Sequence, residues 1–219
     1  MPASLVKRVV DSAVGGATVV IRPWLGVKGE GVSAEIARSL GLERPQGLVI
    51  TELYAGGPGQ RAGLREGDVI TAVDGAEIND QGGLNFRVGT KEPNEPVALS
   101  VLRDGRTDTV NARVQRLPGD IDLDRAVVIS QGGLSGAQVI ALNPALAESL
   151  GGDPFATGVI VGQVDDRGYA RRGVGLRRGD VILAVNGRPV TSPQQLANLG
   201  RGSQLSVQRG GQQGVLVVR

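Results

Sequence analysis

The sequence predicts a mainly β fold with short helices (α+β), built twice in one chain. The chain has 35 glycines and 11 prolines in 219 residues, and because they follow no collagen period they indicate many tight turns. Short β-branched apolar runs such as 48–50 and 181–183 lie between the glycines and are typical of strands. A block also recurs: residues 64–75 and 176–187 differ at only three of twelve aligned positions. The chain is therefore a duplication of one strand-rich unit.

Two further blocks recur in the same order, at an offset of roughly 110 residues, far longer than the period of a solenoid repeat. Residues 33–41 match 143–151, and Trp24-Leu25-Gly26-Val27 matches Leu134-Ser135-Gly136-Ala137. Pro118 and Gly119 mark a change from a strand pattern to acidic residues, which is typical of a boundary. The predicted divisions are an N-terminal helix or linker at 1–22, a first domain at 23–115, a linker at 116–131 and a second domain at 132–219.

The first element of each copy is a short helix. Ser33 is a suitable N-cap in the first copy, and Gly41 ends the helix. In the second copy Asn143 is the cap and Pro144 takes the first helical position, where its missing N–H costs nothing. A strand from Gly47 to Tyr54 follows the first of these helices.

The remaining elements of the first copy are two strand regions separated by a helix. Val69 to Val73 is predicted as a buried strand, and Asp80 to Val88 as a weak helix. Strands at 97–103 and 107–114 form a hairpin about Asp104-Gly105. The second copy repeats this order with closing strands at 204–208 and 214–219, and its helix after Ser192 is predicted to be the firmer one because Pro193 follows the cap.

The composition excludes several classes of protein. The chain has no histidine and no cysteine, which removes disulfides, the usual zinc ligands and a Ser-His-Asp triad. Its three lysines lie in no motif that would place one beside a nucleophilic serine, so no enzyme activity, cofactor or metal is predicted. Five aromatic residues and a net charge of +2 argue against nucleic-acid binding. Asp120 to Asp124 alternate like a calcium loop but lack its glycine and distal glutamate, which favours a solvated linker.

The repeated block Ala62-Gly63-Leu64-Arg65-Glu66-Gly67-Asp68-Val69-Ile70, together with residues 24–27, resembles the circularly permuted, bacterial type of PDZ domain found in HtrA/DegP-like (trypsin-like) serine proteases. Residues 2–10 also resemble the helix that ends the protease domain in that family. The resemblance implies two partly open β-barrels, a serine endopeptidase as the parent protein and a location in the periplasm or cell envelope. It further implies a protease domain of the same parent chain as a partner, and assembly through the parent as a possibility.

The resemblance also implies where a peptide would bind. A PDZ domain adds a peptide as an extra strand to a sheet edge and holds its C-terminal carboxylate in a nest of backbone N–H groups. In the first copy the strand would be 27–31, and a glycine suits the loop because the chain there needs positive φ and close approach to the ligand. The implied site residues are Trp24, Leu25, Gly26, Val27, Lys28, Leu84 and Val88. Trp24 has an alternative role, which is to cover an edge of the core.

The second copy has smaller residues at the corresponding loop. Its implied site residues are Leu134, Ser135, Gly136, Ala137, Leu196 and Leu199. Ser135 and Ala137 replace Leu25 and Val27, which removes apolar wall from the pocket. The second domain is therefore left with two interpretations, a poorer peptide site or a domain that serves in packing and assembly.

Three functions remain open at this point. The chain is a peptide-binding regulatory segment of an HtrA-like serine endopeptidase that captures peptide or unfolded-protein C-termini, a free-standing PDZ scaffold, or a structural or oligomerising module with closed grooves. The resemblance of residues 2–10 to the end of a protease domain favours the first.

Overall fold

A computed structural model describes residues 23–119 and 125–219. The helix predicted within residues 1–22, and the acidic residues 120–124, lie outside the described residues. The chain divides into two compact units, with the boundary between Leu117 and Pro118. Within the described part, no helix is both long enough and apolar enough to cross a membrane.

The first domain is built mainly of short strands with three short helices between them. Its elements in chain order are β1 (Pro23–Trp24), β2 (Val27–Gly31), α1 (Ala34–Ser39), β3 (Leu48–Leu53), α2 (Pro58–Arg61), β4 (Val69–Val73), β5 (Ala76–Glu77), α3 (Gln81–Gly89), β6 (Pro96–Arg103), β7 (Arg106–Arg113) and β8 (Gln115–Arg116).

The strands of the first domain form one large sheet and a small one. The large sheet has the order β2-β3-β4-β6-β7, with β5 paired to β4, and every pairing is antiparallel. Strands β1 and β8 pair separately. Alternate strand residues such as Leu48, Ile50 and Leu99 are fully buried, as expected for strands with one face on the core. Helix α3 packs beside β2 and adds Leu84 and Val88 to the same core.

The second domain repeats this plan, and its sheet has one strand more than the large sheet of the first domain. Its elements are β9 (Val127–Ile129), a 3₁₀ turn (Gly132–Leu134), β10 (Ala137–Ala141), α4 (Pro144–Ser149), β11 (Val159–Val164), a π-type turn (Ala170–Val174), β12 (Val181–Val185), β13 (Arg188–Pro189), a second 3₁₀ turn (Pro193–Leu196), β14 (Gln204–Arg209) and β15 (Gln212–Val217).

The sheet of the second domain has the order β15-β14-β12-β11-β10-β9, with β13 paired to β12. Strands β10 to β12, with β14 and β15, correspond to the large sheet of the first domain. Strand β9 pairs with β10 on the side away from β11, a place at which the described part of the first domain has no strand. The largest buried side chains of this core include Leu134, Leu176 and Ile182.

The predicted fold class is confirmed: each domain is mainly β with short helices. The described sheets have free ends and do not close into barrels. Both N-caps of the first helices are present, since Ser33 Oγ accepts the Ile36 N–H at 3.2 Å and Asn143 Oδ1 accepts the Leu146 N–H at 2.9 Å.

One predicted element is wrong. The helix after Ser192 was expected to be firmer than that of the first domain, but it is a single 3₁₀ turn over Pro193–Leu196, whereas α3 has nine residues. Ser192 does begin this turn as predicted, and Gln195 Oε1 accepts its N–H at 2.9 Å. A cap satisfies only the first N–H groups of a helix, and beyond it Ala197 is extended and Asn198 has a φ of +58°.

The range predicted as a linker, 116–131, also differs from the structure at both ends. Arg116 lies in β8, where it pairs with Pro23 of the first domain. Val127 to Ile129 form β9 of the second domain. The β-branched run from Val127 to Ile129 is a strand signal. The acidic residues just before this run favoured a linker instead. The boundaries of the predicted linker are corrected accordingly.

The recurring Gly-Asp-Val-Ile block has a structural role in both domains. Asp68 is 2% exposed and Asp180 is 0% exposed. Asp68 accepts two hydrogen bonds of 2.6 Å from the Arg103 guanidinium, and Asp180 accepts the same pair from Arg209. The two domains thus share a bidentate ion pair, a strong and geometrically specific interaction.

The ion pair of the first domain sets the protonation state of its acid. Burial acts to raise the pKa of Asp68, but hydrogen bonds from Arg103 and from the Arg65 N–H, together with the charges of these arginines, outweigh it. The pKa of Asp68 therefore lies below its ordinary value, and the carboxylate is charged at neutral pH.

Candidate functional site: two grooves beside a glycine loop

The first groove is the space beside the edge of β2, between the loop Leu25-Gly26 and helix α3. Within residues 23–119, β2 is the end strand of its sheet and pairs only with β3. An end strand presents backbone N–H and C=O groups that can pair with another chain. The first groove therefore has the geometry needed for strand addition.

The loop at the head of the first groove is held in place by its own carbonyl groups. The Gly59 N–H donates to the Leu25 carbonyl oxygen at 2.7 Å, and the Tyr54 N–H donates to the Gly26 carbonyl oxygen at 3.0 Å. Gly26 has a φ of +67°, a conformation that glycine adopts without steric cost. With both carbonyl oxygens engaged, the loop is preorganised before any ligand arrives.

The floor of the first groove is closed by apolar side chains. Leu25 and Val27 belong to the same buried cluster as Leu84 and Val88. All four predicted pocket residues therefore meet in the structure, but they fill the space between β2 and α3 and are buried. A ligand side chain that enters here has to displace or reorient some of them.

Trp24 and Lys28, also predicted as site residues, have contacts within the domain. Trp24 is half-buried in β1. The centroids of the Trp24 and Tyr54 rings lie 5.1 Å apart, and the two rings are tilted relative to each other. Lys28 and Glu52 are directly opposite on β2 and β3, with Nζ and Oε2 3.8 Å apart. These contacts support the alternative interpretation of Trp24, as a residue that covers an edge of the core.

No sequence pattern indicated a role for Gln81, the first residue of α3. Its side-chain amide reaches the edge of β2: the Gly29 N–H donates to Gln81 Oε1 at 2.9 Å, and Gln81 Nε2 donates to the Val27 carbonyl oxygen at 3.2 Å. Val27 and Gly29 are two residues apart, so their backbone groups face the same edge. Gln81 thus occupies hydrogen-bonding groups that an added peptide strand would use.

The second groove is the corresponding space beside β10, at the loop Leu134-Ser135-Gly136. The loop is held as in the first domain: the Ala170 N–H donates to the Ser135 carbonyl oxygen at 3.0 Å and the Asp165 N–H to that of Gly136 at 2.8 Å. Gly136 has a φ of +85°. The two loops therefore share one architecture although their flanking residues differ.

The edge of the second groove is already paired. Strand β9 lies antiparallel to β10 with Ile129 opposite Ala137 and Val127 opposite Val139. Leu134, Ala137 and Leu196 are fully buried in one cluster with Ile129, and Leu199 packs against that cluster. The predicted residues of the second groove are thus brought together around a segment of the chain itself.

The position that corresponds to Gln81 in the second domain is Pro193, at the same offset that relates Leu84 to Leu196. A proline side chain has neither donor nor acceptor, so it cannot bond to the edge of β10. Each groove therefore has a different neighbour at its strand edge, a side-chain amide in the first domain and a strand in the second.

Comparison with known proteins agrees with this geometry. Residues 23–114 match one family model described as a PDZ domain, and residues 160–208 match another with the same description. Two curated relatives are named "Probable periplasmic serine endoprotease DegP-like". The protein of Rhizobium meliloti (strain 1021) is 35% identical over 88% of this chain and 38% of its own length. That of Halomonas elongata is 36% identical over 82% of this chain and 37% of its own length.

The chain thus spans less than two fifths of the length of these relatives. A solved structure titled "HtrA-type protease AlgW with decapeptide" is 34% identical and covers 55% of this chain and 37% of its own, with a TM-score of 0.42. With PDZ matches to residues 23–114 and 160–208, and with similarity to the two DegP-like relatives over more than four fifths of its length, the chain belongs to the PDZ family as a tandem pair of domains homologous to DegP-like serine endoproteases.

Proposed function

We propose that this chain is the peptide-binding regulatory part of an HtrA-like serine endopeptidase of the periplasm, and that its first groove captures C-terminal or extended peptides by strand addition. The observation that carries the proposal is the edge of β2, which within residues 23–119 pairs with no further strand and lies beside a preorganised Gly26 loop. The homology to relatives named periplasmic serine endoproteases supports the protease and the compartment.

The affinity of such a site is expected to be modest. Four main-chain hydrogen bonds contribute about 4 kcal/mol at ~1 kcal/mol net each, which is about half of the free energy of a micromolar complex. The apolar pocket and the carboxylate have to contribute the rest. Gln81 lowers the affinity further, because its bonds to Val27 and Gly29 are lost when a peptide pairs with β2.

The proposal is tested with fluorescent peptides that end in an apolar residue. Amidating the C-terminus is expected to weaken binding by on the order of tenfold, ~1.4 kcal/mol, because the amide lacks the charge that backbone N–H groups stabilise. Gly26→Val is expected to weaken binding similarly, since a β-branched residue resists positive φ. A built Cβ at Gly26 would also lie 3.2 Å from Tyr54 Cβ.

The matched control is Gly136→Val, which alters the other loop and is expected to leave binding at β2 unchanged. Amide NMR of each variant reports whether its domains are folded and which strand the peptide perturbs. Equal binding of acid and amide peptides, or perturbation that avoids Val27 to Gly31, would contradict the proposal.

A further inference from the structure

The strand in the second groove is placed as a ligand would be. Ile129 lies opposite Ala137, the first residue of β10 after the loop. The Gly136 N–H, which belongs to that loop, donates to the Ile129 carbonyl oxygen at 2.9 Å. The Ile129 carbonyl thus takes the place of one carboxylate oxygen of a peptide whose C-terminus is bound at the loop.

The last side chain of β9 is placed as the terminal side chain of a bound peptide would be. Ile129 is only 5% exposed and packs in the cluster that contains Leu134 and Leu196. Val128, the next residue along the strand, is 63% exposed. Val127, which shares the face of Ile129, is 39% exposed. Ile129 is therefore the one anchored side chain of the three, as expected for a peptide whose last residue fills a pocket.

We infer that Val127 to Ile129 are a tethered substitute ligand, and that the second groove binds the C-terminus of another peptide when this segment is displaced. The peptide it accepts ends in a β-branched aliphatic residue, because the pocket is shaped around isoleucine. This inference goes beyond the proposed function, which concerns the first groove, and neither depends on the outcome of the other.

The tethered segment and a free peptide each have one physical advantage in binding to the second groove. A short tether holds its ligand at an effective concentration of roughly millimolar. If the tethered segment has an intrinsic Kd of ~10 μM for the groove, it raises the apparent Kd of a free peptide about a hundredfold. The free peptide gains from its carboxylate, because charge-assisted hydrogen bonds are roughly twice as strong as the neutral bond made by the Ile129 carbonyl. The groove is therefore expected to open to ligand present at high local concentration.

The first test uses the whole, unaltered chain and a hexapeptide that copies residues 124–129, Asp-Arg-Ala-Val-Val-Ile, with a free C-terminus. At millimolar peptide, amide hydrogen exchange at Val127 to Ile129 is expected to rise about tenfold or more, while exchange at β10 stays slow because the peptide replaces the strand. The C-terminally amidated hexapeptide is expected to have a much smaller effect. Unchanged exchange at β9 with the acid peptide, or faster exchange in both strands, would overturn the inference.

The second test weakens the tethered ligand. Ile129→Ala removes the side chain from the pocket, and Val128→Ala is its matched control because Val128 faces solvent in the same strand. The apparent Kd, measured from the shifts of the Gly136 and Gln138 amides, is expected to fall about tenfold or more with Ile129→Ala. It is expected to stay within about twofold with Val128→Ala.

Equal affinities for the unaltered chain and Ile129→Ala would contradict the tethered-ligand assignment. If Ile129→Ala unfolds the second domain, the exchange experiment on the unaltered chain decides the matter alone. Reading the shifts at β10 keeps the result separate from any binding at β2.

Discussion

The two domains share a sheet order and a glycine loop, but they differ at the edge of one strand and in the helix or turn beside it. Beside β2 lies the amide of Gln81, which makes two hydrogen bonds to the strand. Beside β10 lies β9, which pairs over three residues and buries Ile129. A side chain gives way to a peptide at low cost, whereas a strand with a buried anchor has to be displaced as a unit. In these two domains, we expect access to each proposed groove to depend on what occupies its strand edge.

The comparison assumes that the Asp–Arg ion pair stabilises both domains to a similar extent. Removing this ion pair is expected to have the largest effect of the changes considered. Asp68→Asn and Asp180→Asn each remove the charge of a buried carboxylate whose arginine partner is partly exposed, and each is expected to destabilise its own domain by about 1.5–3 kcal/mol. Native-state hydrogen exchange at β4 and β12 measures the two domains separately.

The matched controls are Asp108→Asn and Asp166→Asn, which alter exposed carboxylates in the first and second domain. Each is expected to change stability by less than about 0.5 kcal/mol. A large loss from Asp68→Asn with almost none from Asp180→Asn would show that the scaffolds are not equivalent.

Lowering the pH provides a second test of the ion pair in the first domain. Because the pKa of Asp68 is lowered from 3.8, its ion pair contributes full stability above the pKa of the unfolded chain, and this contribution is lost as the pH falls through the lower pKa of the folded state. The stability difference between the unaltered chain and Asp68→Asn is therefore expected to shrink below about pH 4. Denaturant unfolding of both proteins from pH 7 to pH 2 measures it, and a constant difference would contradict the assignment.

The two loops are expected to tolerate a side chain unequally. Alanine at either glycine adopts a left-handed conformation at a cost of about 1–2 kcal/mol. A built Cβ at Gly136 would also lie 2.9 Å from the Gly168 Cα, a backbone atom, while the nearest atom to one at Gly26 is Tyr54 Cβ at 3.2 Å. Gly136→Ala should therefore destabilise its domain more than Gly26→Ala, as measured by hydrogen exchange. The reverse order would place the tighter loop in the first domain.

The smallest expected effect concerns Gln81. Gln81→Ala removes the amide that competes for Val27 and Gly29, and peptide affinity at the first groove is expected to rise about threefold, ~0.6 kcal/mol. The gain is small because water takes over the freed backbone groups in the unbound state. Arg87→Ala, at an exposed position of the same helix, is the control, and titration of labelled peptide is the measurement. Weaker binding by Gln81→Ala would show that the amide contacts the ligand instead.

Sequence reasoning was most successful where a local pattern has one physical meaning. The repeat identified the duplication, and the capping residues Ser33 and Asn143 predicted helix starts that the structure contains. It failed for the helix after Ser192, because capping residues report where a helix begins and not how far it continues. It also placed Val127 to Ile129 in a linker, although their β-branched side chains were a strand signal.

The sequence by itself determined the fold class, the duplication, the PDZ resemblance and the position of both glycine loops. These follow from spacing, turn residues and alternation, all of which act between residues that are near in the chain. Only the tertiary structure decided that Gln81 bonds to β2 over a separation of 52 and 54 residues, and that Ile129 fills the second groove. A glutamine amide and an apolar tripeptide each suit many surroundings, and their partners are chosen by the packing of distant elements.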